Sequence, residues 1–227
     1  LKEDYGLGRL VVVADKGLNC GDNIACQVAQ GNGYIYSQSI RGADQEFKQY
    51  VLEQNSYRVN GENSKVKSRI YPKEITFTDV LGKKKKIRVD QKQVVFYSQD
   101  YADKARYERG RTLAKAQKYL QSPSSLNRAL AYSAASYIKG LQYDKDGEIV
   151  ETKSMLYLDE DKIREEEQFD GYYAIVTSEL DKSDSEIIET YHGLWKIEET
   201  FKISKSDFKT RPIYVSLESH IEAHFLT

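Results

Sequence analysis

The sequence predicts an α/β fold, on three observations: a strand-helix-strand pattern in the first 40 residues, short alternating strand segments beyond Gly42, and a long amphipathic helix from Asp184. Leu10 to Ala14 (LVVVA) is continuously apolar and β-branched, the pattern of a strand buried on both faces of a parallel or mixed sheet. It ends at Asp15-Lys16-Gly17. Residues 21 to 30 suit a short helix with Asp22 as its N-cap, broken by Gly31 and Gly33. Tyr34 to Ile40 reads as the next strand, and the right-handed crossover rule makes the two strands parallel.

Beyond Gly42, the segments at 75 to 80, 86 to 90 and 94 to 98, divided by Pro72 and Gly82, read as a small antiparallel sheet. Asp100 to Gln121 is expected to be helical, with Tyr101, Ala105, Thr112, Ala116 and Tyr119 on one stripe and Ser122-Pro123 as the stop. A second helix is expected from Leu126 to Leu141. Asp146-Gly147 then marks a hairpin turn, and the acidic stretch at 159 to 170 a solvated helix or loop. Gly171 to Thr177 reads as a further core strand. From Ser183 or Asp184 as N-cap, a helix runs to about Lys205, with Ile187, Tyr191, Leu194, Trp195 and Phe201 along its apolar stripe.

With 227 residues, 40% hydrophobic, 30% charged and a net charge of −1, the chain is long enough for a substantial core and is not a disulfide-stapled mini-protein. No apolar run approaches the roughly 20 residues of a membrane span, and the first ten residues do not form a signal peptide, so a cytoplasmic location is expected. Cys20 and Cys26 lack the spacing of a redox or zinc motif and read as reduced packing thiols. The chain opens on leucine, and Met155 is its single methionine, so an upstream segment is expected; the uncapped HIEAHFLT ending points to a downstream one.

The near-zero total hides local asymmetry. From Lys83 to Lys118 the balance is +8, including the run Lys83 to Lys86, a candidate contact for a polyanion. From Asp144 to Glu189 it is −11. Two such faces can also attract each other within one fold.

Two carboxylates stand out. On the last helix, Tyr191, Glu198 and Lys205 recur every seven residues, almost in line with the apolar stripe. A carboxylate there must be paired, protonated or bound to a cation; Lys202 and Lys205 are the available local partners, while Glu199 can face water. Asp15 ends a strand, where open α/β sheets carry ligands and catalytic groups, although a turn-forming aspartate would look the same. A strand-end aspartate with a helix-borne glutamate is how two-metal enzymes gather oxygen ligands from separate elements.

The stretch YHGLWKIEETFKISK from Tyr191 gives Tyr191, Leu194, Glu198 and Lys205, the spacing Y-x2-R-x3-E-x6-K with leucine in the arginine position. This resembles the signature of the insertion-sequence-four superfamily of bacterial DDE transposases. VVVADKGL resembles the segment carrying that family's second catalytic aspartate, and KTRPIY followed by HIEAHF resembles its downstream segment. The resemblance spans essentially the whole chain. It implies a ribonuclease H-like catalytic core formed by residues 1–43 and 169–227, interrupted by a β-containing and helical insertion at 44–168.

By the same resemblance, Asp15 and Glu198 are catalytic metal ligands for two Mg²⁺ or Mn²⁺ ions, and the first catalytic aspartate lies upstream of residue 1. Tyr191, Lys205 and Lys202 would contact DNA phosphates. Arg106 and Arg109, with Tyr101, Tyr107 and Arg111 on the 100 to 121 helix, are candidates for clamping or stacking on DNA. The implied reaction is hydrolysis at transposon ends followed by strand transfer into target DNA, by a homodimer acting on double-stranded DNA in the bacterial cytoplasm, at the nucleoid. Without the first aspartate, the isolated chain is expected to cleave no DNA. Three alternatives stay open: a ribonuclease H-like nuclease without strand transfer, an inactive DNA-binding remnant, and an acid pair acting on another substrate. His220 and His224 do not form a zinc-protease motif, because HIEAH lacks glutamate directly after the first histidine; His192 reads as an exposed helix residue.

Overall fold

A computed structural model describes residues 5–121, 133–140, 142–143, 149–150 and 156–206, with side chains for all of these except 142–143, 149–150, 195, 198, 199 and 201–206. The chain is a mixed α/β protein. Its strands are β1 (Val11–Ala14), β2 (Gly33–Ser37), β3 (Arg58–Val59), β4 (Ser64–Thr78), β5 (Lys84–Ser98), β6 (Ile138–Lys139), β7 (Gln142–Tyr143), β8 (Ile149–Val150), β9 (Tyr157–Leu158) and β10 (Tyr172–Thr177). Its helices are α1 (Gly21–Ala29), α2 (Gln45–Leu52), α3 (Gln99–Gln121), α4 (Glu160–Glu167) and α5 (Asp184–Ser206). Six strands form a mixed sheet in the order β1-β2-β10-β5-β4-β3. The described residues cluster into two compact units: those within 5–38, 68–93 and 175–206 in the first, those within 39–67 and 94–174 in the second. The segment 68–93, expected within the insertion, thus clusters with the two segments expected to form the core.

In the first unit, β1 and β2 are parallel, with Val11 opposite Gly33 and Ala14 opposite Tyr36, as the strand-helix-strand pattern requires. β10 runs antiparallel to β2, with Ile175 opposite Ser37 and Thr177 opposite Ile35. β2 is buried throughout. Its Tyr34 and Tyr36 stack at 5.1 Å and join Ala14, Ile24, Ile75 and Val176 in a core that Val12, Ile87 and Val89 extend. The expectation that β1 is buried on both faces is corrected: Val11 is exposed and only Ala14 is buried. Among the described residues, β1 is the terminal strand of the sheet and pairs only with β2, which leaves one edge outside the ladder.

β4 and β5 form one hairpin of two 15-residue strands rather than several short segments. Pro72 does not divide them. The Thr78 N–H is bound by Asp22, outside the hairpin ladder, and Pro72 shares its parity, so the missing proline N–H falls on the edge of β4 where it breaks no ladder bond. Asp22 therefore does not cap its own helix. Cys20 occupies the N-cap position without a side-chain bond, and the Asp22 carboxylate accepts the Thr78 N–H at 2.6 Å. Cys20 and Cys26 are free, as expected of reduced thiols, but exposed rather than packed. Gly31, at φ +66°, ends α1 in the left-handed region that glycine adopts at least cost.

Helix α1 abuts the β4 backbone so closely that a Cβ at Gly21 would collide with the Thr76 carbonyl. Gly21→Ala should cost about 1–3 kcal/mol by overpacking, despite the better helix propensity of alanine. Urea unfolding monitored by circular dichroism checks this; an unchanged or higher midpoint would contradict the contact.

In the second unit, Ile40, Phe47, Val51, Val95, Phe169 and Ala174 form one core, and Ala116, Ala134 and Ile138 a smaller one. Asp44 caps α2 by accepting the Phe47 N–H at 2.9 Å. The acidic stretch becomes α4, capped by Asp159. The helix expected over 126–141 does not extend that far, because Ile138–Lys139 is strand β6, antiparallel to β9; its residues 126–132 and 141 lie outside the described set. β7 and β8 pair antiparallel around the expected turn at Asp146-Gly147, which is also outside it. None of the described helices is long and apolar enough to cross a membrane.

Candidate functional site

Asp15 directly follows β1, at the C-terminal end of the parallel β1–β2 pair. The side chain is exposed, and its Oδ1 accepts the Gly17 N–H at 2.8 Å while its carbonyl accepts the Leu18 N–H at 3.2 Å. This is the Asx turn that the short aspartate side chain favours. Asn19 fastens the turn to the end of β2 by donating to the Ser37 carbonyl and to Gln38 Oε1, both at 2.9 Å. The carboxylate is thereby held at the strand end by one oxygen, and coordination of a hard cation through Oδ2 is chemically open. Asn19 had no motif to advertise it; its signal is only a polar residue four positions beyond a strand-end aspartate.

The opposite end of the same strands is closed by an ion pair. Arg9 donates to Glu179 through both terminal nitrogens, at 2.9 and 2.5 Å, and holds the Glu179 carboxyl below the usual carboxylate range. Here the Thr177 hydroxyl donates to the Tyr34 carbonyl at 2.6 Å, and the Tyr34 N–H donates to Ser178 Oγ at 3.0 Å. The connection from β10 to α5 therefore starts at the end of β2 remote from Asp15. Burial pushes the Tyr34 phenol up to about 12, and its oxygen accepts from Gln91 at 2.8 Å inside the core.

Helix α5 begins in a reciprocal capping box: Ser183 Oγ accepts the Glu186 N–H at 3.2 Å, and Glu186 Oε2 accepts the Ser183 N–H at 2.9 Å. Ser183 is thus the N-cap. Asp184 is buried in the first turn, where it pairs with Lys92 at 3.0 Å and accepts the Ser68 hydroxyl at 3.0 Å. The helix packs against β1 and β2, with Ile187 and Tyr191 in the core. Tyr191 was expected at a DNA phosphate, but it is 2% exposed, so its ring serves packing. Leu194 is half-buried, as is His192, which was expected on an exposed turn; burial draws the His192 imidazole below its ordinary pKa. The side chains of Glu198, Lys202 and Lys205 lie outside the described set, as do His220 and His224.

On α3 the buried positions are Ala102, Arg109 and Ala116; of the expected stripe, Ala116 is buried and Tyr101, Ala105, Thr112 and Tyr119 are half-buried. Arg106 is exposed, with Asp103 at 2.9 Å as its surface partner. Arg109 was expected to face DNA. It is instead buried, 2.6 Å from Asp170 and 3.3 Å from Glu167, so its charge is spent inside the second unit. Among the described residues, no group of three or more His, Cys, Asp or Glu side chains is arranged to hold a metal ion. No family model, curated protein or solved structure matches this chain.

Proposed function

We propose that this chain is the C-terminal part of the catalytic domain of a DDE transposase, in which Asp15 and Glu198 are two of the carboxylates that bind catalytic Mg²⁺ or Mn²⁺. One observation carries the reading. Asp15 ends a strand parallel to its neighbour, and α5, which bears Glu198, starts from the opposite end of those strands and packs against both. A helix that leaves that end and lies along β1 and β2 travels toward Asp15. From Asp184 to Glu198 it rises about 21 Å, more than the roughly 13 Å spanned by a four-residue strand. The Y-x2-L-x3-E-x6-K spacing and the VVVADKGL segment supply the second support. The first unit then corresponds to a ribonuclease H-like core, and double-stranded transposon ends and target DNA to the substrates of a homodimer.

The residues present suit hard cations, because both are carboxylates and Asp15 is exposed and held at a strand end. When bound, such ions activate an attacking oxygen and stabilise a leaving one. The role of Asp15 is to present a fixed negative oxygen, oriented by the Gly17 N–H and by the Asn19 tie to β2. Ser183, Glu186 and Asp184 position α5, and with it Glu198, by fixing where the helix starts. Lys202 and Lys205, on the following turns, would contact the phosphates of the DNA, with Arg106 as an exposed cation of the second unit.

Calorimetric titration with Mn²⁺ tests the proposal without requiring catalysis. Asp15→Asn and Glu198→Gln should each weaken binding about tenfold or more while leaving thermal unfolding nearly unchanged. If both variants bind Mn²⁺ as the parent chain does, the two carboxylates do not share an ion and the reading fails.

A further inference from the structure

The end of the β4–β5 hairpin is an ordered turn built around one carboxylate. Asp79 Oδ1 accepts the N–H groups of Leu81 and Lys83 at 2.9 and 2.8 Å, the Asp79 N–H donates to the Lys83 carbonyl at 2.9 Å, and Gly82 takes a positive φ of 75°. These backbone bonds and Lys85, at 3.0 Å, hold the Asp79 carboxyl below its ordinary range. Yet the residues this turn presents are apolar: Val80 is 101% exposed and Leu81 75% exposed. A turn tip is ordinarily polar, so a fixed apolar pair at its apex calls for a partner.

The charge beside the tip says which partner. Lys83, Lys84, Lys85, Lys86 and Arg88 are all exposed. Ile87 and Val89 pack on the core of the first unit, so strand alternation puts Lys84, Lys86 and Arg88 on the opposite face of the ribbon. Lys83 and Lys84 have no ion pair among the described residues, and the Lys86–Glu74 pair is a surface contact that a phosphate can replace. A two-stranded ribbon is narrow enough to enter a groove of duplex DNA, and apolar wedges beside cations unstack a base step and bend the duplex. An apex of two residues is a small anchor for a bilayer. We propose that this hairpin tip is a docking element for duplex DNA, with Lys83, Lys84, Lys86 and Arg88 on the phosphates and Val80-Leu81 against a base step. The proposal deepens the transposase reading and rests on it for the choice of DNA as the polyanion.

The test uses the whole 227-residue chain and a fluorescein-labelled 30-base-pair duplex in EDTA, so that neither metal nor catalysis enters. K83Q/K84Q should lower the slope of log K against log salt by about two and weaken binding about tenfold near 0.1 M salt. V80S/L81S should leave that slope unchanged, weaken binding by about tenfold, and abolish the change in energy transfer between dyes on the duplex ends that reports bending. Both pairs are exposed, and matching melting curves verify folding. Overturning results are absence of duplex binding by the parent chain, or variants that bind and bend DNA as the parent does. A further overturning result is that the chain prefers vesicles containing one-third phosphatidylserine and V80S/L81S removes only that binding, which would assign the tip to a membrane surface. Since Mn²⁺ titration needs no DNA, failure here leaves the metal result standing. Failure there with success here leaves a DNA-binding protein without the proposed metal site.

Discussion

Asp170→Ala is expected to lower the unfolding free energy by about 3–5 kcal/mol, the range for removing one partner of a buried ion pair. The Asp170 and Arg109 side chains are each only 7% exposed and lie 2.6 Å apart. Arg41 also reaches Asp170, at 3.2 Å, but from a half-exposed position where water can replace the lost partner. Arg109 has no such recourse. Its other partner, Glu167, is 51% exposed and 3.3 Å away, too weakly placed to compensate a buried guanidinium. Asp170 raises the Arg109 pKa mainly through this hydrogen bond, so the guanidinium stays charged and cannot escape by losing a proton. Urea unfolding of D170A and of D170A/R109M separates the parts. The double variant should recover much of the loss, because it removes the stranded charge together with its partner. Equal loss in both would mean that packing, and not charge, governs the site.

Lys67→Met should cost about 2–4 kcal/mol. Lys67 is 1% exposed, and its ammonium donates to the carbonyls of Tyr50 and Glu53 at the C-terminal end of α2, where helix carbonyls lack intrahelical donors and the dipole favours a cation. The rings of Tyr50 and Tyr57 face the same ammonium at 4.2 and 4.4 Å. Methionine keeps the length of the side chain but removes the donors, leaving those carbonyls short of a partner inside the protein. Hydrogen exchange of the α2 amides and the denaturant midpoint both read the effect. Unchanged protection and midpoint would show that the ammonium contributes nothing net.

These two residues show why the sequence was informative about strands and poorly informative about charges. The β1-α1-β2 unit was legible because the apolar run Leu10 to Ala14 and the strand-like segment Tyr34 to Ile40 are separated by a helix-length segment with glycine at its end. The start of α5 was legible through two capping residue types, Ser183 and Asp184, ahead of the apolar stripe, and the bond from the Glu186 N–H assigns the cap to Ser183. The 15-residue strands were not, because Pro72 reads locally as a breaker and becomes tolerable only when it falls on an edge. Arg109 read as a DNA-facing cation, and nothing singled out Lys67, because their partners, Asp170 and the carbonyls of α2, come from distant positions that no local pattern connects. Asp22 was misread as a helix cap for the same reason, since its partner Thr78 lies 56 residues away. For the candidate site, Asp15 stands at a strand end as its motif required, whereas Tyr191 serves the core.

In the proposed site, Asp15 and Glu198 share a metal ion. A crystal of the chain soaked in Mn²⁺, with anomalous diffraction collected at the manganese edge, tests it most directly. The expected result is an anomalous peak with oxygens of both Asp15 and Glu198 within about 2.0–2.3 Å, on one face of the β1–β2 strand ends. Carboxylates more than about 8 Å apart, with Asp15 held only in its Asx turn and no peak beside it, would show that the two residues share no ion.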